Sequence, residues 1–113
     1  MIQMFENSRY TEHYKPTIGA DLTAKIITVD DIKVQLSIWD TAGQERFKSM
    51  GTNFYRGADC CLIVYDLTDK ETWNNVADWK ETFLLKTMEK SPDTFPFIIV
   101  GNKVDVADSH RQV

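Results

Sequence analysis

Val34, Leu36 and Ile38 alternate with polar neighbours, and a period of two predicts a strand over Ile32–Trp39 with one buried face. Trp39 falls on the opposite side, so the pattern expects it to be exposed. Upstream, the Thr- and Ile-rich stretch Leu22–Val29 predicts a second strand. Asp30-Asp31 between the two predicts a hairpin turn, although its second position lacks the glycine such turns favour. Further along, Cys60-Cys61-Leu62-Ile63-Val64-Tyr65 is an unbroken apolar run, as in a parallel strand buried on both faces. The period then changes. Trp73, Val76, Ala77, Phe83 and Leu84 recur near helical spacing and predict one amphipathic helix over Thr72–Met88, with Trp79 off the centre of its stripe. Ser91-Pro92-Asp93 ends that helix, and Phe97-Ile98-Ile99-Val100 predicts another buried strand closing at Gly101. Met1–Asn7 reads as the last turns of a helix, from the spacing of Met1, Met4 and Phe5. Ser8–Ile18 reads as a loop, with Pro16 forcing extended backbone before it. Glu45–Tyr55 reads as a mobile loop with a short helix. Strand, helix, strand with buried runs predicts an α/β sheet joined by a crossover.

Composition narrows the class. The 113 residues suffice for one domain, 1–113, and 42% hydrophobic with 27% charged residues is ordinary for a globular protein. A formal net charge of −4 gives no basic field to attract nucleic acid. The two cysteines are adjacent, and neighbouring strand residues face opposite ways, so two buried thiols in a reducing compartment are expected rather than a disulfide. Met1–Phe5 is too short for a signal peptide, and no run approaches transmembrane length.

Candidate chemistry sits where strands end. The strand Ile32–Trp39 runs into Asp40, followed by the small turn Thr41-Ala42-Gly43. A carboxylate offers Mg²⁺ a hard oxygen, and the backbone N–H of a glycine approaches an anion closely. Gln44 follows, where its amide can orient a water. The second cluster, Asn102-Lys103-Val104-Asp105, follows the strand that closes at Gly101. Ligands of open α/β sheets bind at the carboxyl ends of strands. An Asp carboxylate can accept both N1–H and the exocyclic amine of guanine, a donor pair adenine lacks. A lysine stem can lie along a flat base.

With Pro16-Thr17-Ile18-Gly19, Asp40-Thr41-Ala42-Gly43-Gln44 and Asn102-Lys103-Val104-Asp105, the chain resembles the Ras-like small GTPases across its whole length. Its segments Ile18–Leu22, Gln44–Phe47, Phe54–Asp59 and Ile63–Thr68 are similar to those that mark the Rab branch. Ala58-Asp59-Cys60-Cys61, Phe95-Pro96-Phe97 and Arg111-Gln112-Val113 resemble the late-endosomal subgroup.

The resemblance implies GTP/GDP and Mg²⁺ as cofactors, with Thr17 and Asp40 serving the metal and Thr17 and Gly43 the γ-phosphate. Gln44 would orient the attacking water, and Asn102, Lys103 and Asp105 would read guanine. Leu22, Trp39 and Phe54 match an effector-binding cluster; Leu22 departs from the aromatic usual there. Implied partners are Rab effectors, a GTPase-activating protein, an exchange factor and a GDP-dissociation inhibitor or escort protein. The implied location is cytoplasmic, peripheral on endosomal or vacuolar membranes through a lipidated C-terminal tail.

The implied fold is a Ras-like P-loop GTPase fold, three-layered, with a mostly parallel sheet and an antiparallel edge strand. No G-x-x-x-x-G-K-[ST] occurs in the 113 residues, so the chain reads as an internal portion of that domain, without its first strand, last strand and last helices. In the family the first strand lies between the strands matching Ile32–Trp39 and Cys60–Tyr65. Residues 1–113 by themselves are therefore expected to be neither a competent fold nor an active hydrolase. The alternative reading is a nucleotide-free interaction fragment that uses the effector face.

Overall fold

The computed structural model describes Ile2, Phe5 and residues 20–41, 55, 57–87, 91–106 and 108–113. Two compact units divide the chain, Met1–Phe54 and Tyr55–Val113. The loops expected over Ser8–Ile18 and Glu45–Tyr55 lie, Tyr55 apart, outside the described residues.

In the first unit β1 (Ala20–Val29) pairs antiparallel with β2 (Ile32–Thr41). Both strands run two residues further than the apolar pattern indicates, because backbone pairing continues through Ala20↔Thr41 whatever the side chains are. Asp30 and Asp31 take φ of 49° and 64°. A two-residue loop with both residues left-handed matches the right-handed twist of the paired strands, and Asp tolerates that region better than most residues. Register places Leu36 opposite Lys25 and Ile38 opposite Thr23, all four half-buried. Lys25 Nζ reaches the Phe5 carbonyl and lies 4.1 Å from the centroid of the Phe5 ring. Ile2 and Phe5 are helical, in keeping with a helix tail at the start of the chain.

The second unit is a strand–helix–strand crossover. β3 (Cys61–Asp66) and β4 (Phe97–Asn102) pair in parallel, with Ile63 beside Ile99 and Asp66 beside Asn102. Between them stand α1 (Lys70–Asn74) and α2 (Val76–Thr87). The single helix expected over Thr72–Met88 is thus two. Asp69 caps the first, its carboxylate accepting from Glu71 N–H at 3.0 Å. Asn75 closes it, donating its N–H to the Glu71 carbonyl at 3.1 Å, while its own carbonyl accepts from Trp79 N–H at 3.0 Å. The inner face also differs from the expected stripe. Val76, Trp79 and Phe83 line it, whereas Ala77 is exposed and Trp73 sits edge-on to Tyr65 with ring centroids 4.9 Å apart.

Phe83 anchors the unit's core, buried with Tyr55 and Ile63. Its ring lies 5.3 Å from Tyr55, 5.2 Å from Phe95 and 5.5 Å from Phe97. Each such aromatic pair contributes about 0.5–1.5 kcal/mol beyond area burial.

Four expectations are corrected here. The side of β2 expected to be buried has Leu36 and Ile38 only half-buried and Val34 exposed, and β4, expected to be a buried strand, has Ile98 and Ile99 exposed with Phe97 and Val100 only half-buried. β3 is not buried on both faces: Ile63 is buried, while Leu62 and Val64 on its other face are exposed, since in a period-two strand the face turned from α2 has no cover among the described residues. Cys60 and Cys61 are free thiols, as expected, but Cys60 is exposed and Cys61 only half-buried. Cys60 lies ahead of the strand, outside its pairing with β4. No helix among the described residues is long and apolar enough to cross a membrane.

Candidate functional site

Parallel register fixes the site. Because Asp66 and Asn102 are the last paired residues of β3 and β4, both strands deliver their following turns to one end of the sheet. Leu67 N–H donates to the Asn102 carbonyl at 3.1 Å, extending the ladder by one bond. Past Asn102 the chain reverses sharply. Lys103 adopts φ 68°, a conformation that costs a non-glycine residue about 1–2 kcal/mol. Val106 N–H closes the turn on the Lys103 carbonyl at 3.1 Å. Asn102, Lys103 and Asp105 are all solvent-exposed on this turn, and Arg111 braces it by donating to the Val104 carbonyl at 3.3 Å.

Lys103 does not wave freely. Its Nζ is 2.6 Å from Asp66 Oδ2. The other oxygen of Asp66 accepts from Thr68 N–H at 2.8 Å and from Thr68 Oγ1 at 2.6 Å. Thr72 Oγ1 in turn accepts from Asp66 N–H at 2.9 Å. Burial of the Asp66 carboxyl works to raise its pKa, but the bonds from Lys103 and Thr68 outweigh it and hold the group below its ordinary value. The carboxylate is therefore held in its charged form.

This end of the sheet thus presents an exposed carboxylate at Asp105, a carboxamide at Asn102, and a lysine whose ammonium is tied back to β3. Such a turn can accept two donors from a flat heterocycle while a lysine stem lies along its face.

The first unit carries the other described candidates. Leu22 and Trp39 are register partners, 54% and 46% exposed, so the alternation placed Trp39 on the correct side of β2. Asp40 is the next residue, half-buried, with Asp21 opposite in the register. It lies within β2 rather than beyond its end. Thr17, Gly43, Gln44 and Phe54 lie outside the described residues. Asp66 and Thr68 were missed as site residues by the linear reading. Only the pairing of β3 with β4 brings them beside the Asn102–Asp105 turn, though Asp66 ending an apolar strand was a visible signal.

A profile of the Ras family matches residues 1–113. The chain is 48% identical over 114 residues to the Ypt/Rab-type GTPase YPT7 of Saccharomyces cerevisiae, covering 100% of this chain and 55% of that protein. It is 48% identical over 113 residues to the Ras-related protein Rab7 of Drosophila melanogaster, covering 100% and 54%. It is 46% identical over 111 residues to the Ras-related protein Rab-7b of Paramecium octaurelia, covering 98% and 54%. The chain therefore spans about half the length of the curated relatives it matches. A parallel β3–β4 pair with its helical crossover, an antiparallel β1–β2 pair, and a family profile matched from end to end agree: this chain belongs to the Ras family, and its likeness within that family is to the Rab7 and Ypt7 type.

Proposed function

We propose that this chain carries the base-reading turn and the effector face of a Rab-type GTP/GDP switch that acts in endosomal or vacuolar membrane traffic. The observation that carries the reading is the turn after β4. Asp105 is exposed there, ready to accept both guanine donors, and Lys103 is held by Asp66. Asn102 would satisfy a ring acceptor or brace the turn. Asp40 and Thr17 would serve Mg²⁺. Phosphate oxygens and water would complete the shell of such an ion. Bound there, Mg²⁺ neutralises charge on the phosphates. The N–H of Gly43 would meet the γ-phosphate, and Gln44 would hold the water that attacks it.

Because the 113 residues contain no G-x-x-x-x-G-K-[ST], residues 1–113 alone would hold GTP no better than millimolar and would not hydrolyse it. Partners of the whole protein would be effectors, a GTPase-activating protein, an exchange factor and a GDP-dissociation inhibitor or escort protein. A second reading, partner binding without nucleotide, is favoured by the exposed Leu22–Trp39 pair; the family resemblance would add Phe54 to it.

The test places residues 1–113 in yeast Ypt7 in exchange for its matching stretch and compares GDP with XDP affinity. Asp105→Asn should weaken GDP and improve XDP, whose extra carbonyl receives the new amide N–H. Loss of two charge-assisted bonds corresponds to about two to four decades in GDP affinity. An unchanged GDP affinity would remove Asp105 from the base site.

A further inference from the structure

Lys103 pairs with Asp66, on the neighbouring strand. Three features make this more than a surface ion pair. First, Asp66 is anchored: its backbone is the last paired position of β3, and its Oδ1 is saturated by both donors of Thr68. Oδ2 is thereby aimed at Lys103 and cannot swing away. Second, the pair is asymmetric, with the Asp66 side chain 19% exposed and that of Lys103 54% exposed. The ammonium is held to β3 while more than half of the Lys103 side chain is open to solvent. Third, Lys103 is held in a left-handed backbone conformation, a strain that persists only where surrounding structure enforces it.

We propose that Asp66 is the positioning residue of this site: by fixing the Lys103 ammonium against β3, it turns the lysine stem into a flat wall for a purine while withholding its charge from the base. It rests on the guanine reading of Asn102–Asp105. Without Asp66 the ammonium would reorient toward solvent or toward the Asp105 carboxylate. Either movement removes the wall, and the second also spends the acceptor that distinguishes guanine from adenine. Thr68 acts one step behind, through Asp66.

Asp66→Asn separates positioning from architecture. The asparagine carbonyl still accepts from Thr68, so the turn is retained, but the charge that holds Lys103 is gone. The chain of residues 1–113, labelled with ¹⁵N, is titrated with GMP and separately with AMP. The amide shifts of Asn102–Asp105 and the side-chain ammonium signal of Lys103 are followed. Wild type should favour GMP, and Asp66→Asn should lose about tenfold in GMP affinity, with AMP little changed, together with the ordered Lys103 ammonium signal. Protection of the Leu67 amide reports that the strand ends remain paired. Thr68→Val keeps the carboxylate and loosens it, so a loss of about threefold is expected; should Asp66→Asn fail to fold, this variant decides. A wild type that prefers GMP, with either folded variant equal to it, overturns the positioning role and leaves the guanine reading standing. A wild type with no preference for GMP although Lys103 is ordered overturns the guanine reading and the role that rests on it, and a wild type whose Lys103 ammonium is not ordered overturns the positioning role by itself.

Discussion

A methyl group added at Gly101 would meet the ring of Tyr65 head-on. Its Cβ would lie 2.9 Å from Tyr65 Oη, 3.0 Å from Tyr65 Cζ and 3.3 Å from Leu67 Cδ2. Gly101 and Tyr65 are register partners in the parallel pair, so the strands cannot separate locally to make room. Nor is the ring free to yield, because Trp73 packs edge-on against it at 67°. Overpacking of this kind costs about 1–3 kcal/mol. Against it stands the ordinary gain on replacing a strand glycine with alanine, about 0.5–1 kcal/mol. Gly101→Ala should therefore destabilise by up to about 2 kcal/mol net, or roughly 4–8 °C per kcal/mol in a small domain. A double-mutant cycle isolates the clash. In a Tyr65→Ala background the same substitution should become neutral or stabilising, giving a coupling of about 1–3 kcal/mol. Urea unfolding followed by tryptophan fluorescence measures all four proteins. A coupling near zero would show that Gly101 is present for some reason other than the Tyr65 ring.

Phe83→Ala removes the ring that touches Tyr55, Phe95 and Phe97, and should cost about 3–5 kcal/mol in the same unfolding assay; a loss below 1 kcal/mol would mean the cluster does not hold the second unit together. Burial first, and the neighbouring Cys60 second, push the Cys61 thiol up to about 11. Relative to an ordinary thiol, that lowers its thiolate about 100-fold at pH 8, partly offset by higher intrinsic nucleophilicity, so alkylation should be roughly tenfold slower and Cys60 should react first. Peptide mass spectrometry after timed iodoacetamide treatment reads the order. Asp66, held below its ordinary value of 3.8, contributes stability that is present above that pH and lost as pH falls through its folded pKa. Asp66→Asn should therefore flatten the acid limb of a stability–pH profile, and an unchanged limb would assign the acid sensitivity to other carboxylates.

Local rules were legible in the order of residues. Thr and Ile content found β1, and alternation found β2 and the exposed side of Trp39, because a strand's two faces follow from its pleat. Two aspartates between strands announced the tight turn, because the backbone there must be left-handed and Asp tolerates it. Asn102–Asp105 could be named from its residue types and from its place after an apolar strand. What depended on partners distant in sequence was not legible. Thr72–Met88 reads as one helix by period, yet it is divided at Asn75, and packing leaves Trp79 half-buried and Ala77 exposed. The apolar run of β3 reads as buried on both sides, yet burial depends on what covers each face, and the described residues cover only the side of Ile63. Lys103 reads as a lysine whose stem can lie along a flat base, with no sign of what holds its ammonium. Only the parallel register of β3 with β4 brings Asp66 within 2.6 Å of it, because residues 37 positions apart (103 − 66) become neighbours through sheet pairing and through nothing in the local sequence.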